Sequence, residues 1–251
     1  MASAAAASAG TTVDQMTSAN QADTHTQGHY TTTGLDNRKI AIWAFIGSEC
    51  MLFTSLISTY LIYKGRSITG PRPHEYYCPT TNASLPAEGG NVAAFLQACP
   101  QALKPILNIP ITSASTFVLL MSSLAMVLAH NAVVNANQPN RTIWNSSKLW
   151  LATTAVFGAI FLGFQAYEFT SFVHEGLTIR TNLFGSSFFM LTGFHGAHVT
   201  AGVLWLLSLL AIDFRRGLKP GDALAVDLAA LYWHFVDVVW IVIFTLVYLI
   251  Q

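Results

Sequence analysis

Apolar residues in this chain come in five long unbroken stretches, near 40–63, 109–130, 149–172, 186–212 and 229–250, separated by polar segments. At about 1.5 Å of rise per residue each stretch is long enough to cross roughly 30 Å of hydrocarbon as a helix. An extended segment would leave its backbone N–H and C=O groups unpaired in lipid, whereas a helix satisfies them locally. The pattern predicts an all-α membrane protein whose five transmembrane helices form a bundle over residues 36–251.

The intervening segments refine that picture. Residues 1–35, rich in Ala, Ser and Thr, lack the basic start and apolar centre of a secretory signal and read as a disordered tail. His25 and His29 in that tail read as solvated side chains. Five spans put the termini on opposite sides. With the N-terminus in the cytoplasm, the inner segments hold Arg38, Lys39, Arg141, Lys148, Arg215, Arg216 and Lys219. The outer ones then hold Lys64, Arg66, Arg72, Lys104 and Arg180. The inner charges Arg215, Arg216 and Lys219 crowd beside a span end, which favours the N-terminus inside and the C-terminus in the periplasm.

The loop from about 64 to 106 contains Pro71, Pro73, Pro79, Pro86, Pro100 and Pro105 with Gly89-Gly90, so no long helix is expected in it. Cys78 and Cys99 lie there, facing an oxidising compartment in this topology, and are expected to pair as a disulfide. Cys50, within the first span, reads as a small apolar residue.

Composition agrees with a lipid solvent. Residues are 53% hydrophobic and 10% charged, against about 25% charged in soluble domains. Twelve basic and twelve acidic side chains cancel, which sets nucleic-acid binding aside. No Gly-rich phosphate loop, Ser-His-Asp arrangement or Cys-x-x-Cys pair occurs.

Ionisable residues inside spans are costly and become functional candidates: Glu49, His195, His198, His234 and Asp237. Counting helical rise, Glu49, Asp237 and His198 fall roughly 12 to 14 Å deep, a level at which they can meet across helices. His195 and His198 are spaced i, i+3, as are His234 and Asp237, so each pair shares a helix face. Gly193, Gly196, Ala197, Ala201 and Gly202 beside the first pair allow a close helix approach. Helix-to-helix contact and haem ligation both remain open for the histidines, the latter through His130 and His234 on different helices. Glu49 is compatible with proton handling, with a lipid or carbodiimide-reactive pocket, or with a neutral carboxyl bonded to a neighbouring helix. Glu168 and His174 are expected at the outer interface, satisfied by water and headgroups, and Arg215 and Arg216 are expected at the inner one.

The run Ala230–Trp240 (ALYWHFVDVVW) resembles the signature of haem-copper oxidase subunit III. Gln165–Glu168 (QAYE), Phe184–Phe189 (FGSSFF) and Thr192–Val199 (TGFHGAHV) resemble the same family in the same order. Ser48–Phe53 (SECMLF) is similar to the segment holding that family's membrane carboxylate. The resemblance, running from about 38 to 251, implies the five-span bacterial form, in the bacterial inner membrane, without the first two spans of the mitochondrial form. It implies further that haem and copper reside in partner subunits, chiefly subunit I, with subunits II and IV as further partners. This chain would carry no metal or redox centre, bind phospholipid, and sustain proton uptake and turnover in its neighbour. Glu49 falls on the family's membrane carboxylate, and His195, His198, His234 and Asp237 fall on its motif positions. Quinol oxidases have a similar subunit. The QAYE and Leu183–Ser186 stretches resemble the cytochrome c branch, whereas Phe244–Leu249 also resembles the quinol branch. A rival of another class is a stand-alone proton transporter using Glu49, Asp237 and the histidines as a relay.

Overall fold

The computed structural model describes residues 36–64, 75–81, 83–86, 90–103, 109–136 and 146–250. The tail expected over residues 1–35, and His25, His29, Arg66, Arg72, Lys104 and Arg141, lie outside the described residues. The chain divides into two compact units, Met1–Phe45 and Ile46–Gln251. In the first, Asp36 Oδ1 accepts the Arg38 backbone N–H at 2.9 Å, beside the start of the first helix.

Six α-helices are described: α1 (Asn37–Tyr63), α2 (Val92–Ala98), α3 (Ile109–Val134), α4 (Ser147–His174), α5 (Leu183–Arg216) and α6 (Ala223–Phe244). All but α2 are long and apolar enough to cross a membrane; α6 continues a 3₁₀ turn at Pro220–Asp222 and runs into a π-helical turn, Thr245–Leu249. The five predicted stretches are all recovered, each longer at one or both ends than its apolar run.

Lipid-facing polarity is handled within each helix. On α1 the exposed hydroxyls of Thr54, Ser58 and Thr59 turn back to the carbonyls of Cys50, Thr54 and Ser55 at 2.7, 2.8 and 2.8 Å. Thr153 on α4 and Thr200 on α5 do the same. This is how a hydroxyl is tolerated where no water can reach it.

The second unit is organised by α6. Its Trp233 indole donates to Ser122 Oγ on α3 at 3.0 Å and is buried against two glycines, Gly158 of α4 and Gly202 of α5. A Cβ on Gly158 would stand 2.6 Å from the indole, and one on Gly202 would stand 2.8 Å from it. The large aromatic therefore fills a slot that only residues without side chains leave open. One turn pair further on, Trp240 donates to Thr116 Oγ1 at 2.9 Å. The pairs 122 with 233 and 116 with 240 run in opposite senses, so α3 and α6 are antiparallel. Gln165 with Thr192, and Ser147 with Asp213, show the same for α4 and α5.

Within the second unit α1 is held differently. It buries only Phe53 and Tyr60, which share one stripe with Glu49 and Leu56 at spacings of four, three and four. Most of its surface, including Met51 and Ile62, stays exposed.

Between α1 and α3 the loop forms a small antiparallel hairpin, β1 (Glu75–Tyr77) with β2 (Ser84–Pro86), in register Tyr76 to Leu85. Cys78, just after β1, is bonded to Cys99, the residue that ends α2. The expected disulfide is present, and no helix longer than α2 is described in this loop.

Two outcomes check these contacts. Gly158→Ala is expected to lower stability by about 1–3 kcal/mol through overpacking against Trp233, seen as a lower unfolding midpoint in detergent. Gly163→Ala, where nothing lies within 4 Å of the added carbon, should leave that midpoint unchanged or raise it. For the loop, mass analysis should find Cys78 and Cys99 resistant to alkylation until reduced.

Candidate functional site

Helical spacing decides which buried polar groups converge. His195 and His198 lie on α5 where it passes between α1 and α6, and the ring of Phe53 on α1 meets both, edge-on, at 6.5 and 5.1 Å. His198 Nε2 lies 3.0 Å from Glu49 Oε2, both side chains being mostly buried. His198 Nδ1 lies 2.8 Å from the carbonyl oxygen of Phe194, one turn back. A carbonyl only accepts, so Nδ1 carries hydrogen. The contact between Nε2 and Oε2 then contains one further proton, placed either on the carboxyl or on the ring. Either placement leaves the pair neutral overall, which is what a hydrocarbon setting requires. The carboxyl therefore has a partner on a neighbouring helix.

His195 faces inward and is fully enclosed. Its ring stacks on Trp240 at 4.9 Å, with Phe161 of α4 edge-on at 5.9 Å, and neither ring nitrogen has a hydrogen-bond partner. The two histidines of the i, i+3 pair thus do different work: His198 ties α5 to α1, while His195 fills an aromatic box between α4, α5 and α6.

Asp237 is buried but does not join Glu49. Neither carboxyl oxygen meets a donor at hydrogen-bond distance, although the Ser123 hydroxyl on α3 is close enough to act on its charge. The same hydroxyl lies 2.6 Å from His234 Nδ1. The expected meeting of Glu49, His198 and Asp237 is therefore corrected to two separate contacts, Glu49 with His198 and Ser123 with His234 and Asp237. Because α3 and α6 are antiparallel with Ser123 opposite His234, His130 stands about 10 Å further along α3, and the two histidines do not face each other.

Glu168 is the clearest correction. Expected at an interface, it is 6% exposed, accepts the Thr112 hydroxyl and lies 3.4 Å from the Tyr248 hydroxyl of the π-helical turn. The antiparallel α3 and the C-terminal turn close over it, so protein and not headgroups satisfies it. His174, one and a half turns on, is exposed as expected. At the other end Arg215 and Arg216 are exposed, Arg216 pairing with Asp222 at 3.0 Å.

Other contributors were not singled out from sequence. Asp213, 1% exposed, accepts Ser147 Oγ at 2.6 Å and the Leu218 backbone N–H at 2.8 Å, joining the start of α4 to the end of α5. In the sequence it stands just before Arg215 and Arg216, and no local feature marks it as buried. Gln165 donates to the Thr192 carbonyl at 2.7 Å, in a gap left by Gly196. Lys64, past the end of α1, donates to the Ile250 carbonyl. Partial burial lowers the pKa of its ammonium below the ordinary lysine value.

Comparison with known proteins places this arrangement among relatives. Residues 91–251 match the family described as Cytochrome c oxidase subunit III. The chain is 36% identical over 213 residues to cytochrome c oxidase subunit 3 of Bacillus sp. (strain PS3), covering 85% of this chain and 86% of that protein. It is 35% identical over 214 residues to cytochrome c oxidase subunit 3 of Bacillus subtilis, covering 85% and 86%. Quinol oxidase subunit 3 of Bacillus subtilis is 32% identical over 210 residues, covering 84% and 85%.

The Glu49 and His198 contact should show coupling in a double-mutant cycle. Glu49→Ala and His198→Ala are expected to be non-additive by roughly 0.5–3 kcal/mol in thermal unfolding of the detergent-solubilised protein; strict additivity would mean that the pair does not interact.

Proposed function

Since the chain belongs to the cytochrome c oxidase subunit III family of bacterial multi-pass plasma-membrane proteins, we propose that it is the non-catalytic subunit III of a proton-pumping, cytochrome c-oxidising oxygen reductase. Membership makes it part of a haem-copper oxidase, an oxidoreductase complex of aerobic respiration; the donor, the pumping and the role of this chain are our reading.

The observation that carries the reading is the neutral Glu49 and His198 contact, set where a weakly anchored helix meets the rest of the bundle. In this reading haem and copper belong to subunit I, which subunit III contacts directly, with subunits II and IV completing the complex. The buried imidazoles have other occupations: His198 is bonded at both nitrogens, His234 is bonded to Ser123, and His195 is boxed by rings. A stand-alone relay through Glu49 and Asp237 finds no support, because the two carboxyls belong to separate contacts. A cytoplasmic N-terminus, favoured by the distribution of basic residues, is part of the proposal.

Phospholipid has a fitting groove between α1 and α5, lined by Leu56, Thr59, Tyr63, Leu183, Ser186 and Met190. Its walls are apolar, as acyl chains require. Cytochrome c is favoured as donor by the QAYE and Leu183–Ser186 stretches, while relatives named for both donors keep quinol as the alternative.

Purification through this chain should bring down subunit I with its haems, and the complex should turn over on reduced cytochrome c in preference to quinol. A preparation of this chain alone carrying haem, with a Soret band, would overturn the proposal. Glu49→Ala is expected to leave haem content unchanged while activity decays faster over repeated turnovers; identical persistence would remove Glu49 from the function.

A further inference from the structure

The Glu168 site is not used by this reading, and its make-up is unusual. It lies in the half of the bundle where α1 and α4 end and α3 and α5 begin. Within it a buried carboxyl meets hydroxyls from two other parts of the chain, with a third hydroxyl nearby. Thr112 of α3 donates to Oε1, and the Tyr248 hydroxyl stands 3.4 Å from Oε2. Tyr60 of α1, fully buried, has a hydroxyl with no hydrogen-bond partner and lies within electrostatic reach of Tyr248. The groups acting on the carboxyl among the described residues are Thr112 and Tyr248. The α5 helix contributes only rings here, Phe184 against Tyr60 and Phe188 against Tyr248. Among the described residues no cation thus balances a carboxylate.

Backbone form points the same way. The α-helical ladder of α6 gives way to a π turn, closed by Ile250 N–H to the Thr245 carbonyl at 3.0 Å, at the residues that deliver Tyr248 to this site. Such turns recur where a helix must aim a side chain for function and not for packing alone. Beyond Tyr60, one helical turn along α1, Lys64 reaches the same C-terminal turn at the Ile250 carbonyl.

We propose that Glu168 is a proton-binding site: its carboxyl holds one exchangeable proton, shared with the hydroxyls of Thr112 and Tyr248. Each of these two hydroxyls both donates and accepts, so the pair can bond the carboxyl with its proton on either oxygen. The site is distinct from the Glu49 and His198 contact, with which it shares no residue, and it goes beyond the subunit III reading.

The test uses infrared spectroscopy of the complete purified oxidase. Glu168→Gln should remove one protonated-carboxyl stretching band from the wild-type spectrum, and in the wild type that band should shift on transfer to D₂O. Tyr248→Phe should retain the band at a changed frequency. Retention of every protonated-carboxyl band in Glu168→Gln means a carboxylate and overturns the proposal, as does a band that never exchanges in D₂O. Should Glu168→Gln fail to assemble, Tyr248→Phe decides: a shifted band supports the site and an unmoved spectrum refutes it. Co-purification of subunit I with the wild-type chain reports separately on the subunit III reading.

Discussion

Hydrocarbon will not solvate a polar group, and that single restriction explains most of what the interior of this protein contains. Every hydroxyl, indole and carboxyl placed within a span must be matched by protein or by an enclosed water. Apart from Tyr60, His195, Asp237 and one oxygen of Gln165, which have no such partner among the described residues, the structure meets the requirement at two scales. Single hydroxyls return to their own helix, as Thr54 and Thr153 do. Groups with longer reach cross to another helix, as Trp233 does to Ser122, Trp240 to Thr116 and Glu49 to His198. Without a hydrophobic force between helices in lipid, those crossings and the close fit around Trp233 are what give the bundle one arrangement.

The most crowded helix, α6, illustrates how unequal the spans are. It reaches α3 through two indoles, occupies glycine-lined slots in α4 and α5, and ends in the turn that covers Glu168. By contrast, within the second unit α1 buries only one narrow stripe, through Phe53 and Tyr60, and leaves most of its surface exposed. A bundle built this way has a firm part and a lightly held part, and the lightly held part carries Glu49.

The spans were legible because uninterrupted apolarity over more than twenty residues has one solution in a bilayer. The motif Ala230–Trp240 was legible too, since an i, i+3 pair of His234 and Asp237 amid apolar residues has to face protein. The partners, however, were not. Depth along a helix follows from counting, but rotation about its axis depends on neighbours that one sequence does not specify; hence Asp237 was grouped with Glu49 although it faces Ser123. Glu168 was misplaced for a related reason. Its nearness to a span end suggested headgroups, and nothing in the local sequence announced that Thr112 and Tyr248, 56 and 80 residues away, would cover it. Asp213 was hidden by the cationic residues that follow it.

The bond between Glu49 and His198 joins residues 149 positions apart. At roughly 5–20 residues per second of synthesis, about 7 to 30 seconds separate the appearance of the carboxyl from that of its imidazole. During that interval the first span sits in the lipid, or in the insertion machinery, with its acid unmatched. Biogenesis of this protein therefore includes a stage at which a nascent helix waits for a companion made three spans later, and whatever shelters it meanwhile must let go when α5 arrives.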